Sequence, residues 1–194
     1  VENAVEADDE LTMKFLEQGE EAITVDELKM ALRKRVLTGD FYLVTGGDGR
    51  GVIVEKLLDL MVDFLPSPLD VDEIWGKNPK TGDEVSRKPS DKEPLSALAF
   101  KIAADPFVGK LIFVRVYSGV LNSGSYVLNT TTGEKERIGR IVRMFADKRE
   151  EISKVEAGDI AAVVGLKSTA TGNTLADVAH PIALESIEFP EPPV

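Results

Sequence analysis

The 194-residue sequence contains no cysteine. Disulfides, thiol nucleophiles and thiolate metal ligands are therefore excluded together. Histidine occurs once, at His180, so a Ser-His-Asp triad has one candidate base and a His-rich metal site has none. Aromatic residues make up 6% of the chain, with a single tryptophan, Trp75. No apolar run approaches the roughly 20 residues that a bilayer span requires, so no membrane partner is expected. Val1-Glu2-Asn3 lacks both the basic n-region and the apolar core of a signal peptide. It also lacks an initiator Met, and the expectation is a fragment or a processed product. What is present is ordinary for a globular chain of one domain or two small ones: 43% hydrophobic and 29% charged residues. The formal net charge of -11, taken whole, argues against general nucleic-acid binding.

That acid is unevenly distributed. Residues 1–93 hold 12 Lys/Arg against 22 Asp/Glu, whereas residues 94–194 hold 11 against 12. Within the second half, residues 101–149 carry nine basic and four acidic side chains. An acidic chain thus contains one basic stretch, which reads either as an ordinary local excess or as a polyanion-facing surface.

The first half reads as helices around one strand. Val5 to Glu17 has a weak amphipathic pattern, with Leu11, Phe15 and Leu16 among acids. Asp8-Asp9-Glu10 within it reads as a solvated helix face rather than a cation site. Thr24-Val25-Asp26-Glu27 is a capping-box pattern that opens a second helix, with Gly39 as its stop. Phe41-Tyr42-Leu43-Val44-Thr45 is β-prone and continuously apolar, as a buried strand would be. A glycine loop follows, Gly46 to Gly51, and then a third helix from Val52 to Leu65, ended by Pro66 and Pro68. Gly46 and Gly51 have the spacing of the P-loop glycines, but Val52 and Ile53 stand where Lys and Ser/Thr belong. The loop therefore reads as a plain β–α turn. Residues 69–93, with Gly76, Asn78-Pro79, Thr81-Gly82 and Pro89, read as a linker in which Trp75 packs against a neighbouring domain.

The second half reads as a small antiparallel β-barrel. Strand candidates are Leu95–Ala103, Leu111–Tyr117, Tyr126–Leu128, Lys135–Met144, Ile160–Val164 and Ile182–Phe189. Glycine turns separate them, and closure would remove their exposed edges. The predicted class is α+β: an α-rich segment at 1–68, a linker at 69–93 and a barrel of about six strands at 94–194.

These residues carry a family resemblance. Ala97-Leu98-Ala99-Phe100-Lys101-Ile102, Asp105-Pro106-Phe107-Val108-Gly109-Lys110-Leu111 and Arg115-Val116-Tyr117-Ser118-Gly119 resemble the opening of the second domain of bacterial elongation factor G. Gly124-Ser125-Tyr126-Val127-Leu128-Asn129, Lys135-Glu136-Arg137-Ile138-Gly139-Arg140 and Lys148-Arg149-Glu150-Glu151-Ile152 continue the match in order. Ala157 to Leu166, Thr171-Gly172-Asn173-Thr174-Leu175 and Glu188-Phe189-Pro190-Glu191-Pro192 complete it. Upstream, Val62 to Asp70 resembles the junction with that factor's GTPase domain, and residues 8–45 resemble the end of that domain. The sequence departs from the family at one loop: Thr45-Gly46-Gly47-Asp48 stands where a guanine-contacting Ser-Ala pair is expected.

The resemblance implies a piece of a translational GTPase that drives ribosomal translocation in the cytoplasm. The intact parent would bind GTP and Mg²⁺. The P-loop, the switch motifs and N-K-x-D are missing from this chain, so no catalytic or cofactor-binding residue and no metal site is expected in it. Its implied partners are the ribosome, through small-subunit ribosomal RNA, and the remaining GTPase domain of the same protein. Lys110, Arg115, Lys148 and Arg149 are the candidate phosphate contacts. Arg115 reads equally as a cross-strand ion pair, and Lys148 to Glu151 as a solvated loop. Phe107 reads as a packing residue, with base stacking as the alternative. His180, before Pro181, reads as a loop residue. The alternative to a factor fragment is a stand-alone barrel module, or a divergent paralogue, binding another polyanion or a protein.

Overall fold

The computed structural model describes residues 2–6, 8–106, 108–146 and 148–185. The chain divides into two units, Val1–Asp70 and Val71–Val194.

The first unit is helical. Helix α1 (Glu2–Val5) is followed by α2 (Asp9–Gln18), α3 (Val25–Thr38) and α4 (Val52–Phe64). The single helix read from Val5 to Glu17 is divided here, because Asp8 caps α2 and accepts from the amides of Glu10 and Leu11. The capping box at α3 is present in full: the Thr24 hydroxyl accepts from the Glu27 amide, and the Glu27 carboxylate accepts from the Thr24 amide. Gly39 ends α3 in the left-handed region, at φ 79°, where a Cβ would be strained. Helix α4 stops at Phe64 because Leu65, which precedes Pro66, is forced extended. Arg33 ties α3 to the end of α4 by donating to the carbonyls of Asp63 and Leu65 and pairing with Asp70 at 2.7 Å. The buried core of this unit is small: Val5, Leu11 and Ala31, with Phe15, Ile23 and Leu28 against them.

The strand expected at Phe41–Thr45 is absent. Residues 41–48 have no regular structure, with Tyr42 and Val44 exposed. A strand needs a partner for its backbone donors and acceptors, and the first unit contains no strand among the described residues.

The second unit contains thirteen strands among the described residues, more than the six expected. Residues 69–93, expected as a linker, carry β1 (Ile74–Lys77) and β2 (Glu84–Arg87). The main strands are β3 (Ser96–Asp105), β4 (Gly109–Ser118), β6 (Tyr126–Asn129), β7 (Lys135–Arg137), β8 (Arg140–Phe145), β9 (Lys148–Ile152), β11 (Ile160–Val164) and β12 (Thr174–Ala176). They form one antiparallel sheet in the order β7-β6-β12-β3-β4-β11-β8-β9. The short strands β5 (Leu121–Asn122) and β10 (Lys154–Val155) pair with each other, and β13 (Ala183–Leu184) joins β1 and β2. The strand expected at Ile182–Phe189 is represented by β13, and its residues from 186 onward lie outside the described ones.

The sheet curls on itself. Strand β9 lies four places from β3 in the sheet order, yet Arg149 of β9 pairs with Asp105 of β3 at 2.7 Å. The interior is filled by alternate side chains: Ile112, Val114 and Val116 of β4 and Val163 of β11 have no exposed surface, as do Ile141 and Leu175. The strand expected to run from Lys135 to Met144 is two strands, broken at Ile138-Gly139. A Cβ on Gly139 would lie 2.2 Å from the Val164 carbonyl oxygen, so the neighbouring backbone approaches too closely for any side chain. The α+β class with an antiparallel barrel is the observed architecture.

Candidate nucleic-acid interface

The four predicted phosphate contacts do not form one patch. Lys110 and Arg115 lie five residues apart on β4, an odd separation, so they leave opposite faces of the strand. Lys110 shares the parity of the interior residues and donates from Nζ to the Thr169 carbonyl at 2.7 Å. Arg115 faces outward, with its guanidinium 5.1 Å from the Tyr117 ring centroid. Its strand partners are Leu98 and Ile160, so the cross-strand ion pair has no carboxylate opposite it. Lys148 and Arg149, adjacent on β9, also point to opposite faces. Lys148 is exposed, whereas Arg149 is partly covered and paired with Asp105. The run Lys148 to Glu151, read as a solvated loop, lies in strand β9, which pairs with β8. Phe107 lies outside the described residues.

Most cations of the basic stretch are engaged. Arg143 reaches Asp159 at 3.5 Å and Arg140 reaches Glu151 at 3.9 Å. Lys101 lies over the Phe113 ring at 5.9 Å, and Lys135 over the Tyr126 ring at 4.9 Å. Ion pairs at this exposure are weak, so a phosphate competes with them at little cost.

One carboxylate organises the neighbouring loop. Glu136 is 7% exposed and accepts from the amides of Lys167 and Ser168 and from the Thr169 hydroxyl. Burial alone would raise its carboxyl, but these hydrogen bonds, led by Thr169, outweigh it and hold the group below its ordinary value. Asn129 extends the network by donating to Thr169 and Asn173. Lys110, on the Thr169 carbonyl, belongs to the same fastening.

Two further residues of the sequence reading have clear positions. Trp75 is 61% exposed on β1 and lines a groove of about 690 Å³ with Ile74, Leu98, Tyr117 and Leu184. His180 is exposed between β12 and β13, with Nδ1 3.0 Å from the Asp177 carboxylate.

The glycine loop at Gly46–Gly51 does not fit a phosphate cradle. The glycine loop enters α4 through Val52-Ile53-Val54, where a phosphate site needs an ammonium and a hydroxyl. Among the described residues, no three His, Asp or Glu side chains gather as metal ligands. No helix among them is long and apolar enough to cross a membrane.

The second unit is thus an antiparallel barrel that carries a basic stretch at residues 101–149. Residues 94–178 match the family model described as Elongation factor G domain 2. The whole chain aligns with a crystal structure of a protein from Thermus thermophilus, at 26% identity and a TM-score of 0.69. The alignment covers 100% of this chain and 26% of that one, so the chain spans about a quarter of the length of the solved protein it matches.

Proposed function

We propose that the chain is a non-catalytic segment of a cytoplasmic elongation factor G, whose barrel faces small-subunit ribosomal RNA during GTP-driven translocation. The observation that carries this reading is the match of residues 94–178 to the second domain of that factor. The basic stretch at 101–149 supplies the charge that phosphate contact requires. Lys110, Arg115, Lys148 and Arg149 are contacts on more than one face of the barrel. The remaining GTPase domain of the parent is the natural cover for the exposed apolar residues Val44, Leu58 and Val62 of the helical unit. The loop at Thr45–Asp48, in place of the guanine-contacting pair, favours a divergent form of the factor. Co-sedimentation with small ribosomal subunits tests the reading. Binding that weakens steeply with salt is expected, together with no micromolar affinity for a fluorescent GTP analogue. Salt-independent binding, or tight nucleotide binding by this chain, contradicts it.

A further inference from the structure

We propose that the outer face of the β6–β7 hairpin is a stacking platform for single-stranded RNA, with Tyr126 receiving a base and Lys135 and Arg137 receiving flanking phosphates. The inference rests on the RNA-facing reading above and locates its contact on residues that reading did not use. The register makes the platform. Arg137 lies directly opposite Tyr126, and Lys135 lies opposite Leu128, diagonal to the ring. All three therefore share one face of the hairpin. Glu136, the acid between the two cations, points to the other face, where it is consumed by the 167–169 loop.

The face is open. Strand β7 ends the eight-stranded sheet, and Tyr126 is 58% exposed. The Lys135 ammonium sits 4.9 Å from the ring centroid, and a ring covered on both faces would not retain that exposure. Arg137 is anchored through Nε to the Gly124 carbonyl at 3.4 Å. No carboxylate pairs with Lys135 or Arg137 among the described residues, in contrast to Arg140, Arg143 and Arg149. Lys135 and Arg137 lie two residues apart, roughly 7 Å along the strand, which leaves room for two separate phosphates. An exposed aromatic flanked by cations without carboxylate partners suits an unpaired base, because a base in a duplex offers no free face for stacking.

The test is fluorescence anisotropy of the full chain with a short labelled oligouridylate and with an RNA duplex of equal length, across about 50–200 mM salt. The expected result is tighter binding of the single strand. Tyr126→Ala is expected to weaken it about ten-fold while Tyr126→Phe retains it, since the ring and not the hydroxyl stacks. The double variant Lys135→Ala/Arg137→Ala is expected to flatten the salt slope by about 0.7 for each phosphate lost. If these variants bind like the parent chain while Lys110→Ala/Lys148→Ala weakens binding, the platform is refuted and the RNA-facing reading stands. Preference for the duplex also refutes the platform. If the unaltered chain binds neither RNA, the RNA-facing reading falls with it.

Discussion

Ile112 in β4 and Leu58 in α4 are similar side chains in unlike surroundings. The first has no exposed surface, and the second is 55% exposed. The contrast extends through both units. Among the described residues, the barrel's buried cluster holds fourteen apolar residues, whereas that of the helical unit holds three. Helix α4 leaves Val52, Leu58 and Val62 exposed, as are Tyr42 and Val44 before it. Burial supplies most of the favourable free energy of folding, so the barrel's larger buried cluster is expected to contribute more to stability than that of the helical unit.

The largest expected difference comes from truncating one leucine in each unit. Leu175→Ala in the barrel is expected to cost about 2–5 kcal/mol, because it empties a fully buried site. Leu58→Ala is expected to stay within about 0.5 kcal/mol. Urea denaturation measures both, and equal costs would break the comparison. Gly139→Ala comes next, at about 1–3 kcal/mol, because its methyl would press on the Val164 carbonyl. Gly46→Ala, with open space around it, is expected to be neutral.

Glu136→Gln is expected to cost about 1–3 kcal/mol, since an amide donor would then face donors already aimed at the carboxylate. The smallest effect belongs to the helical unit: Thr24→Ala removes the cap of α3, for about 1 kcal/mol. Its partner Glu27 is held down to about 2 by hydrogen bonds from Lys14 and Thr24. A depressed carboxyl stabilises the fold above its unfolded value near 4.5, and the contribution is lost as pH falls toward about 2. Thermal melts of the Glu27→Gln variant are expected to converge on those of the parent chain across that window.

The parts legible from sequence were those whose local chemistry and tertiary role agree. The capping box of α3, the Pro stop of α4, and the strands β4 and β11 all appear where the residue pattern predicts them. Strand β9 was obscured because Lys148-Arg149-Glu150-Glu151 has no apolar face, and as an edge strand it needs none. Strand β12 is three buried residues, too short for a period. Phe41–Val44 shows the converse failure, a strand composition with no partner to pair with. Neither charge nor the family resemblance says which candidate contacts share a face. Strand parity already separates Lys110 from Arg115 and Lys148 from Arg149, and the same parity aligns Tyr126 with Arg137 across the Thr132-Gly133 turn.

Native-state amide hydrogen exchange on the intact chain tests the contrast between the units most directly. The account predicts that amides of β3, β4 and β11 exchange only through global unfolding, while those of α4 exchange orders of magnitude faster through local opening. Protection in α4 equal to that in β4 would contradict it.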